Sequence, residues 1–293
     1  MIVFPPQSDG AIYMDDQWLF RHARNVHSQM GEDGIIEKIL EVLGTKQGWC
    51  VEFGAWDGEY LSNTYNLIAN RGFAAVLIEG SAGRIEALTE RFRDNAKVTP
   101  VHAFVGFTAD DGLDKILSST AIPFDFDVLS IDIDGNDYHA WKAVNRYRPK
   151  LVVIEFNPTI PSAVEFVQPA DMSVNQGSSL LSLSLLAKEK GYELIAATEF
   201  NGFFVAKEYF SLFGIRDNSV HALRPNENFV TYIFNGFDGT VFVRGYGKLG
   251  WHGVPYRESR MQLIPRLLRG FPDTQGKAMK RLAKYYRSIK KRI

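Results

Sequence analysis

Five short apolar segments, separated by helical ones, run through residues 49–156 and constrain the fold more than any other feature of the sequence. The apolar segments are residues 49–53, 75–79, 98–104, 128–133 and 151–156. Between them lie predicted helices at about 61–70, 82–93, 111–119 and 138–145. Continuous apolar strands that alternate with amphipathic helices are typical of a parallel sheet covered on both faces. The pattern therefore predicts an α/β fold with a mostly parallel sheet.

The segments on either side of this core extend the prediction. Residues 28–43 read as a leading helix, with Ser28 and Asp33 as caps and Gly44 at its end. Residues 180–190 read as another helix, after a loop rich in Pro, Ser and Asn at 157–178. Residues 192–198 and 202–205 flank Asn201-Gly202, which is a hairpin signal. The last strand of the sheet is therefore expected to be antiparallel.

The phrase VEFGAWDGEY at 51–60 lies between a predicted strand and a helix. Glycine at 54 and 58 permits a tight turn and a close approach of the backbone to a ligand. The acidic Glu52 would repel a pyrophosphate, but it suits the cationic amine of S-adenosylmethionine. We therefore assign part of this turn to that cofactor, namely Glu52, Gly54, Ala55, Asp57 and Gly58. A plain strand-to-helix turn is the alternative.

The next predicted strand ends in Glu79-Gly80. An acid at this position can accept hydrogen bonds from both ribose hydroxyls of an adenosyl cofactor, so Glu79 and Gly80 join the predicted cofactor site. A solvated residue at a strand end is the other interpretation of Glu79.

Five phrases of the sequence together match a known family. They are SQMGEDGIIEKIL (28–40), VEFGAWDGEYLSNTYNL (51–67), VLIEG (76–80), SIDIDGNDY (130–138) and VVIEFNP (152–158). Through them, residues 27–206 resemble the FkbM-like S-adenosylmethionine-dependent methyltransferases. The resemblance implies a Rossmann-like class I methyltransferase fold and O-methyl transfer, often to sugars. It also implies that the leading segment helps to close the site through Gln29, Glu32 and Asp33, for which a capped helix is the alternative.

Acidic and amide side chains follow the fourth and fifth predicted strands. Asp132 and Asp134 come after one strand, and Glu155 and Asn157 come after the next. These strand ends are neighbours at the ligand-binding edge of a parallel sheet, and oxygen ligands of this kind suit Mg²⁺ or Mn²⁺. The arrangement is similar to that of metal-dependent O-methyltransferases of the catechol and macrocin types, although Phe156 interrupts their second acidic pair.

The resemblance makes Asp132, Glu155 and Asn157 metal ligands and Asp134 a ligand or general base. Asp132 is assigned to the cofactor as well. In the alternative, Asp132 and Asp134 only bind the cofactor and cap the following helix. His252, in Trp251-His252-Gly253, is a further candidate base or substrate contact, and a structural histidine is the alternative.

Two other functions are weighed against methyl transfer. The Asp-x-Asp spacing at 132–134 also resembles the metal site of nucleotide-sugar glycosyltransferases, but that class requires neither the acidic glycine turn nor Glu79. A catalytically silent binding module that kept the fold is the third hypothesis. The favoured acceptor is a hydroxyl of a small molecule or a glycan, and the sequence does not name it.

The net charge and the cysteine content limit the partners and the cellular compartment that the sequence suits. The formal charge of −1 argues against nucleic acid as a partner. The single Cys50 suits a reducing cytosol, and no signal peptide is apparent at the start, so a cytoplasmic protein is expected.

The C-terminal residues 277–293 form a distinct electrostatic segment, with eight basic residues and no acid. Apolar residues at helical spacing predict an amphipathic helix with one apolar stripe, composed of Met279, Leu282, Tyr286, Ile289 and Ile293. This helix either contacts the cytoplasmic face of a membrane or packs on the preceding segment or on a second subunit, in a homo-oligomer.

Four segments follow from these observations. Residues 1–26 are irregular, 27–206 form the methyltransferase domain, 207–276 form an appended cap with a second predicted hairpin at 231–234 and 240–244, and 277–293 form the basic helix.

Overall fold

The computed structural model describes residues 15–290 of the chain. It divides into two compact units, of which the first ends at Asn226 and the second begins at Glu227. Residues 1–14 of the predicted irregular segment and residues 291–293 of the predicted basic helix lie outside the described part. Within that part, no helix combines the length and the apolar character needed to cross a membrane.

A seven-stranded sheet forms the centre of the first unit, in the order β3-β2-β1-β4-β5-β7-β6. Its strands are β1 (Trp49–Phe53), β2 (Ala74–Glu79), β3 (Val98–His102), β4 (Val128–Ile131), β5 (Leu151–Glu155), β6 (Tyr192–Ala197) and β7 (Asn201–Ala206). Strands β1 to β5 are parallel, and β7 is antiparallel to both β5 and β6. This confirms the predicted α/β, Rossmann-like fold with a mostly parallel sheet and a C-terminal antiparallel hairpin.

Burial explains why the strands read as continuous apolar runs. Val51, Val76, Leu129 and Val153, one from each of the four central parallel strands, are completely buried. Both faces of a parallel sheet are covered, so neither face selects polar side chains. Strand β1 lies in the middle of this region, and Phe53 is opposite Ile78 of β2 and Ile131 of β4.

Seven α-helices accompany this sheet within the described residues. They are α1 (Glu32–Val42), α2 (Tyr65–Arg71), α3 (Ala82–Phe92), α4 (Leu113–Leu117), α5 (Asp137–Ala143), α6 (Leu180–Glu189) and α7 (Val220–Leu223). The prediction of a helix from residue 61 is wrong at its start, because α2 begins only at Tyr65. Ser62, Asn63 and Thr64 instead donate hydrogen bonds to Glu52, and this holds them in a loop.

The leading helix α1 also begins later than predicted, at Glu32 instead of Ser28. Ser28 and Asp33 do form a reciprocal pair: the Ser28 hydroxyl accepts from the Asp33 backbone N–H at 3.0 Å, and the Asp33 carboxylate accepts from the backbone N–H of Ser28 at 2.8 Å. Ser28 thus satisfies a backbone N–H of the first turn of α1 from outside the helix, while the N-cap residue itself is Gly31, which makes no side-chain cap. The helix ends at Val42 and is capped by Leu43, and the predicted stop, Gly44, follows with a left-handed φ of 70°.

The first unit extends past residue 206, where the methyltransferase domain was expected to end. A 3₁₀ segment, Lys207–Phe213, and α7 belong to it. Phe213 and Leu223 are buried in its core, so these residues are not part of a separate cap.

The second unit contains the predicted second hairpin, formed by β8 (Thr231–Asn235) and β9 (Val241–Gly245). The turn Asn235-Gly236-Phe237-Asp238-Gly239 joins the two strands. The basic segment forms α8 (Lys277–Lys290), which confirms a helix over these residues.

Candidate active site

The glycine turn after β1 touches the end of β4. Gly54 has a φ of 79°, and a Cβ at this position would lie only 1.7 Å from the backbone carbonyl oxygen of Asp132. Gly58 has a φ of 80°, and a Cβ there would lie 2.6 Å from the ring of Phe92. Conformation therefore favours glycine at both positions, as the sequence indicated, but the atoms that a Cβ would meet belong to Asp132 and Phe92 of the protein itself.

The same turn is tied to the end of β2. The backbone N–H groups of Gly54 and Ala55 both donate to the Ile78 carbonyl oxygen, at 3.1 and 3.2 Å. Glu79 is buried, and its carboxylate accepts from the backbone N–H of Trp56 at 2.9 Å and of Ser81 at 2.7 Å. The predicted cofactor residues of β1 and β2 thus share one edge of the sheet.

Gly80 lies against an aromatic ring at this edge. A Cβ on Gly80 would lie 2.4 Å from the ring of Phe104, whose own side chain is exposed. Nearby, the guanidinium of Arg84 lies 3.4 Å from the ring centroid of Trp56. The edge therefore has two partly exposed aromatic side chains, Phe104 and Trp56, near Glu79, and Trp56 is covered on one face by Arg84.

Glu52 holds the loop between the glycine turn and α2. Its buried carboxylate accepts from the Ser62 hydroxyl, the Asn63 backbone N–H at 2.8 Å and the Thr64 hydroxyl at 2.7 Å. Burial raises the pKa of Glu52, against the effect of these hydrogen bonds. Binding of the cofactor amine by Glu52 stays a prediction, and the described contacts show a role in shaping the loop.

Asp57 is tied to α3. Its carboxylate accepts from the backbone N–H of Glu59 and Tyr60 and pairs with Arg91 at 3.0 Å. Partial burial opposes ionisation, but the two N–H groups and Arg91 together lower the pKa of Asp57. In this position Asp57 fixes the geometry of the turn after Gly54, and its contact with the cofactor also stays a prediction.

Asp132, Asp134 and Glu155 come together at the ends of β4 and β5. Each offers one carboxylate oxygen, and these three oxygens lie within 4.8 Å of one another. Asp134 has a left-handed φ of 57°. The buried carboxylate of Asp137 stabilises this conformation, because it accepts from the backbone N–H of Ile133 and of Gly135, each at 2.9 Å. Three of the four predicted metal ligands are therefore adjacent.

Burial and mutual repulsion disfavour the ionised forms of this acidic cluster. Burial, and then the charges of Asp137, Asp134 and Glu52, raise the pKa of Asp132 to about 7. Burial and the neighbouring Asp132 raise the pKa of Glu155 well above its usual range. Among the described residues, neither a lysine nor an arginine forms an ion pair with any member of the cluster.

Asn157, the fourth predicted ligand, has its amide engaged in the loop that follows β5. Its Nδ2 donates to the Gln176 carbonyl oxygen at 2.7 Å, and its Oδ1 accepts from the Thr159 backbone N–H and hydroxyl. Metal ligation by Asn157 stays a prediction, as does catalysis by His252, which is an exposed residue of the second unit.

Two of the residues predicted to help close the site, Glu32 and Asp33, make contacts that hold α1 in the fold. Glu32 is completely buried, and it accepts from the Thr198 hydroxyl at 2.8 Å and from the Asn201 amide at 3.2 Å. Asp33 accepts three backbone N–H groups from residues 26–28, while its Oδ1 is buried without a hydrogen-bond partner. These two acids join α1 to the hairpin of β6 and β7 and to the preceding turn.

Sequence reasoning missed Arg224 and Gln168, which shape the loop after β5. The guanidinium of Arg224 donates to the carbonyl oxygens of Pro158 at 2.6 Å and Ile160 at 2.8 Å, and it lies over the ring of Phe156. Gln168 accepts from the backbone N–H groups of residues 176 and 177. The Arg224 contacts join residues more than 60 positions apart, and the Gln168 contacts lie in an irregular loop, so neither leaves a periodic signal in the sequence.

Solved structures similar to this chain include SAM-dependent methyltransferases and proteins in complex with S-adenosylhomocysteine. TrmK of M. capricolum, in complex with S-adenosylhomocysteine, matches 57% of this chain and 66% of its own, at 9% identity and a TM-score of 0.35. A TehB-like SAM-dependent methyltransferase from Corynebacterium glutamicum matches 59% of this chain and 87% of its own, at 12% identity and a TM-score of 0.38.

The N-terminal domain of EvdMO1, in the presence of S-adenosylhomocysteine and D-fucose, matches 68% of this chain and 99% of its own, at 12% identity and a TM-score of 0.41. No family model and no curated protein sequence matches the chain. At identities and TM-scores this low, the similar structures assign neither a ligand nor a reaction to it.

The contact between Gly54 and Asp132 predicts a large cost for a methyl group at position 54. Gly54→Ala should lower the free energy of unfolding by about 1–2 kcal/mol for the left-handed backbone and by about 1–3 kcal/mol more for the clash. Gly44→Ala is the matched control, because Gly44 has a similar φ but open space around its Cβ position. Urea denaturation measures both variants, and equal losses would contradict the described contact.

Proposed function

We propose that this chain is an S-adenosylmethionine-dependent O-methyltransferase of the FkbM-like kind, which acts on a hydroxyl group of a small molecule or glycan with the help of a divalent cation. The observation that carries the proposal is the convergence of the β1 glycine turn, the β2 acid and the β4–β5 acidic cluster at the carboxyl edge of one parallel sheet. This edge is where open α/β sheets bind ligands.

The residues at the ends of β1 and β2 fit the cofactor. Gly54 lets the turn lie against the end of β4, and Glu79 places a buried carboxylate beside the same turn, where it accepts from the Trp56 N–H. A carboxylate accepts up to about four hydrogen bonds, so Glu79 can serve a ribose diol while it accepts from Trp56 and Ser81. When bound, S-adenosylmethionine supplies the methyl group as a sulfonium electrophile.

The acidic cluster fits a hard divalent cation. Carboxylate oxygens are the ligands that Mg²⁺ and Mn²⁺ prefer, and the donor set of Asp132, Asp134 and Glu155 contains no nitrogen or sulfur. Burial, and then the neighbouring acids, raise the pKa values of Asp132 and Glu155, and a bound cation would offset this repulsion. Asn157 would join as a further oxygen ligand through a rearrangement of its loop contacts. When bound, the cation supplies Lewis acidity that lowers the pKa of an acceptor hydroxyl.

The chain's own residues would orient the acceptor and manage its proton. Asp134 is the exposed member of the cluster and has the accessible carboxylate needed to hold a hydroxyl or to receive its proton. Asp132 and Glu155 are more buried and fix the position of that hydroxyl relative to the glycine turn. The loop that Arg224 and Gln168 anchor follows β5 and would form the wall of the acceptor site beside the acidic cluster.

The glycosyltransferase alternative accounts for less of the structure. The Asp132-x-Asp134 spacing fits it, but the glycine turn closed on Asp132 and the contact between Glu79 and Trp56 have no role in that reaction. Isothermal titration with S-adenosylmethionine and, separately, with nucleotide sugars distinguishes the two enzymes, and a silent binding module would bind the cofactor without methylating any acceptor in a cell lysate.

Removal of the Glu79 carboxylate should weaken the binding of both S-adenosylmethionine and its demethylated product. Glu79→Ala is expected to cost about 1.5–3 kcal/mol, because a charged acceptor for two hydroxyls is lost. Glu79→Gln, which keeps an acceptor for the backbone N–H groups, should lose less. Glu86→Ala, on the exposed side of α3, is the control. Calorimetry that detects no cofactor binding to folded wild-type protein would contradict the methyltransferase assignment.

The acidic cluster should bind Mn²⁺ in a manner that depends on Glu155. Glu155→Gln is expected to weaken Mn²⁺ binding by at least about tenfold, measured by electron paramagnetic resonance, while the affinity for S-adenosylhomocysteine changes little. Asp110→Asn, at an exposed acid outside the cluster, is the control. Wild-type protein that binds no Mn²⁺ even with S-adenosylhomocysteine present would refute the metal site and leave Asp134 as a base that acts without a cation.

A further inference from the structure

The second unit is strongly basic although the chain as a whole is not. Residues 227–293 contain 14 lysines and arginines against four acids, a formal charge of +10 in a chain whose total is −1. Only part of this excess lies in α8, since Arg257, Arg260, Arg266 and Arg269 precede it. A concentration of one sign of charge on so small a unit attracts an anionic partner over the range of a Debye length.

The same unit exposes an unusual amount of apolar surface. It forms less than a quarter of the chain, yet it has more than half of the exposed large hydrophobic side chains among the described residues. Phe237 at the hairpin turn is 90% exposed, and Leu263 and Leu267 are 75% and 83% exposed. Exposed apolar patches of this kind mark sites of interaction with proteins or membranes.

Helix α8 has two apolar stripes, one that packs on the second unit and one that is exposed. One face packs on the unit, where Met279 and Ala283 are half-buried and the Tyr286 hydroxyl donates to the Leu263 carbonyl oxygen at 2.7 Å. A second apolar stripe remains exposed, with Leu282, Tyr285 and Ile289 at spacings of three and four residues.

The predicted stripe of the tail thus divides between packing and exposure, and its last member, Ile293, lies outside the described residues. The exposed basic side chains fill the rest of the helix surface, namely Lys277, Lys280, Arg281, Lys284 and Arg287.

An apolar cavity opens between the hairpin turn and α8. Its volume is about 500 Å³, and it is lined by residues that include Phe237, Leu263, Leu268, Tyr286 and Arg287. Two of these, Phe237 and Leu263, also belong to the exposed apolar surface. The apolar surface therefore continues from the outside of the unit into the cavity, with an arginine at its border.

We infer that the second unit docks on the surface of a bilayer that contains anionic lipids. The lysines and arginines would contact lipid phosphates, and Phe237, Leu263 and Leu267 would enter the acyl region beside them. A basic face combined with apolar side chains is the composition that binds such interfaces. Highly exposed leucines distinguish this partner from a nucleic acid, whose phosphates would attract the same charges but would not cover aliphatic side chains.

The test is co-sedimentation of the full chain with vesicles of equimolar phosphatidylcholine and phosphatidylglycerol, compared with vesicles of phosphatidylcholine alone. We expect binding to the anionic vesicles that falls steeply with salt. Lys280→Glu/Lys284→Glu should lower the partition coefficient at least about tenfold, because each basic residue contributes about 1 kcal/mol at such a surface. Leu263→Ser/Leu267→Ser should lower it without changing the salt dependence.

Matched controls come from the first unit. Lys46→Glu/Lys115→Glu makes the same change in net charge at exposed sites, and Leu185→Ser/Leu212→Ser removes exposed leucines. Both should bind vesicles as the wild type does, and circular dichroism confirms that every variant is folded. The inference is overturned if the wild type does not bind anionic vesicles at low salt, or if the control variants lose as much vesicle binding as the test variants. It is also overturned if a dimer covers the apolar surface, or if RNA competes with the vesicles for it.

Discussion

The close approach of Gly54 to the Asp132 carbonyl oxygen is the constraint on which the candidate site depends. It brings the turn after β1 against the end of β4, and the hydrogen bonds to the Ile78 carbonyl bring the same turn against β2. A side chain at position 54 would separate these strand ends, and Glu79 would then lose its contact with the Trp56 N–H. Gly54, in the turn at the end of β1, thus sets the distance between the proposed cofactor site and the acidic cluster.

Most of the sheet could be predicted from the sequence, because a parallel strand that is buried on both faces consists of consecutive apolar residues. The hairpin of β6 and β7 and the acids after β4 and β5 were also predictable from the sequence. The predicted turn residues Asn201 and Gly202, however, lie in β7, and the turn precedes them. The starts of helices were less predictable. Helix α2 begins only at Tyr65, because the three residues that precede the helix donate hydrogen bonds to the carboxylate of Glu52, ten or more positions earlier in the chain. The roles of Asn157 and Arg224 depend on loop contacts between residues far apart in sequence, and no local pattern records them.

Charge separates the two units as clearly as their folds do. The second unit carries +10, so the remaining residues together carry −11. In the first unit three acids, Asp132, Asp134 and Glu155, converge on the carboxyl edge of the sheet and form the candidate cation site. In the second unit the basic residues surround exposed apolar side chains. The chain thus combines an acidic candidate catalytic unit with a basic candidate docking unit, which suits an acceptor found at an anionic surface.

The most direct test of the proposed site is a crystal structure of the protein grown with S-adenosylhomocysteine and Mn²⁺, with anomalous diffraction data collected at the manganese absorption edge. The account predicts nucleoside density with its ribose hydroxyls on Glu79, next to the glycine turn, and one anomalous peak among the carboxylates of Asp132, Asp134 and Glu155. Ligand density elsewhere in the chain, or a cofactor bound at the turn with no anomalous peak in the acidic cluster, would contradict the central claim that one sheet edge holds both groups.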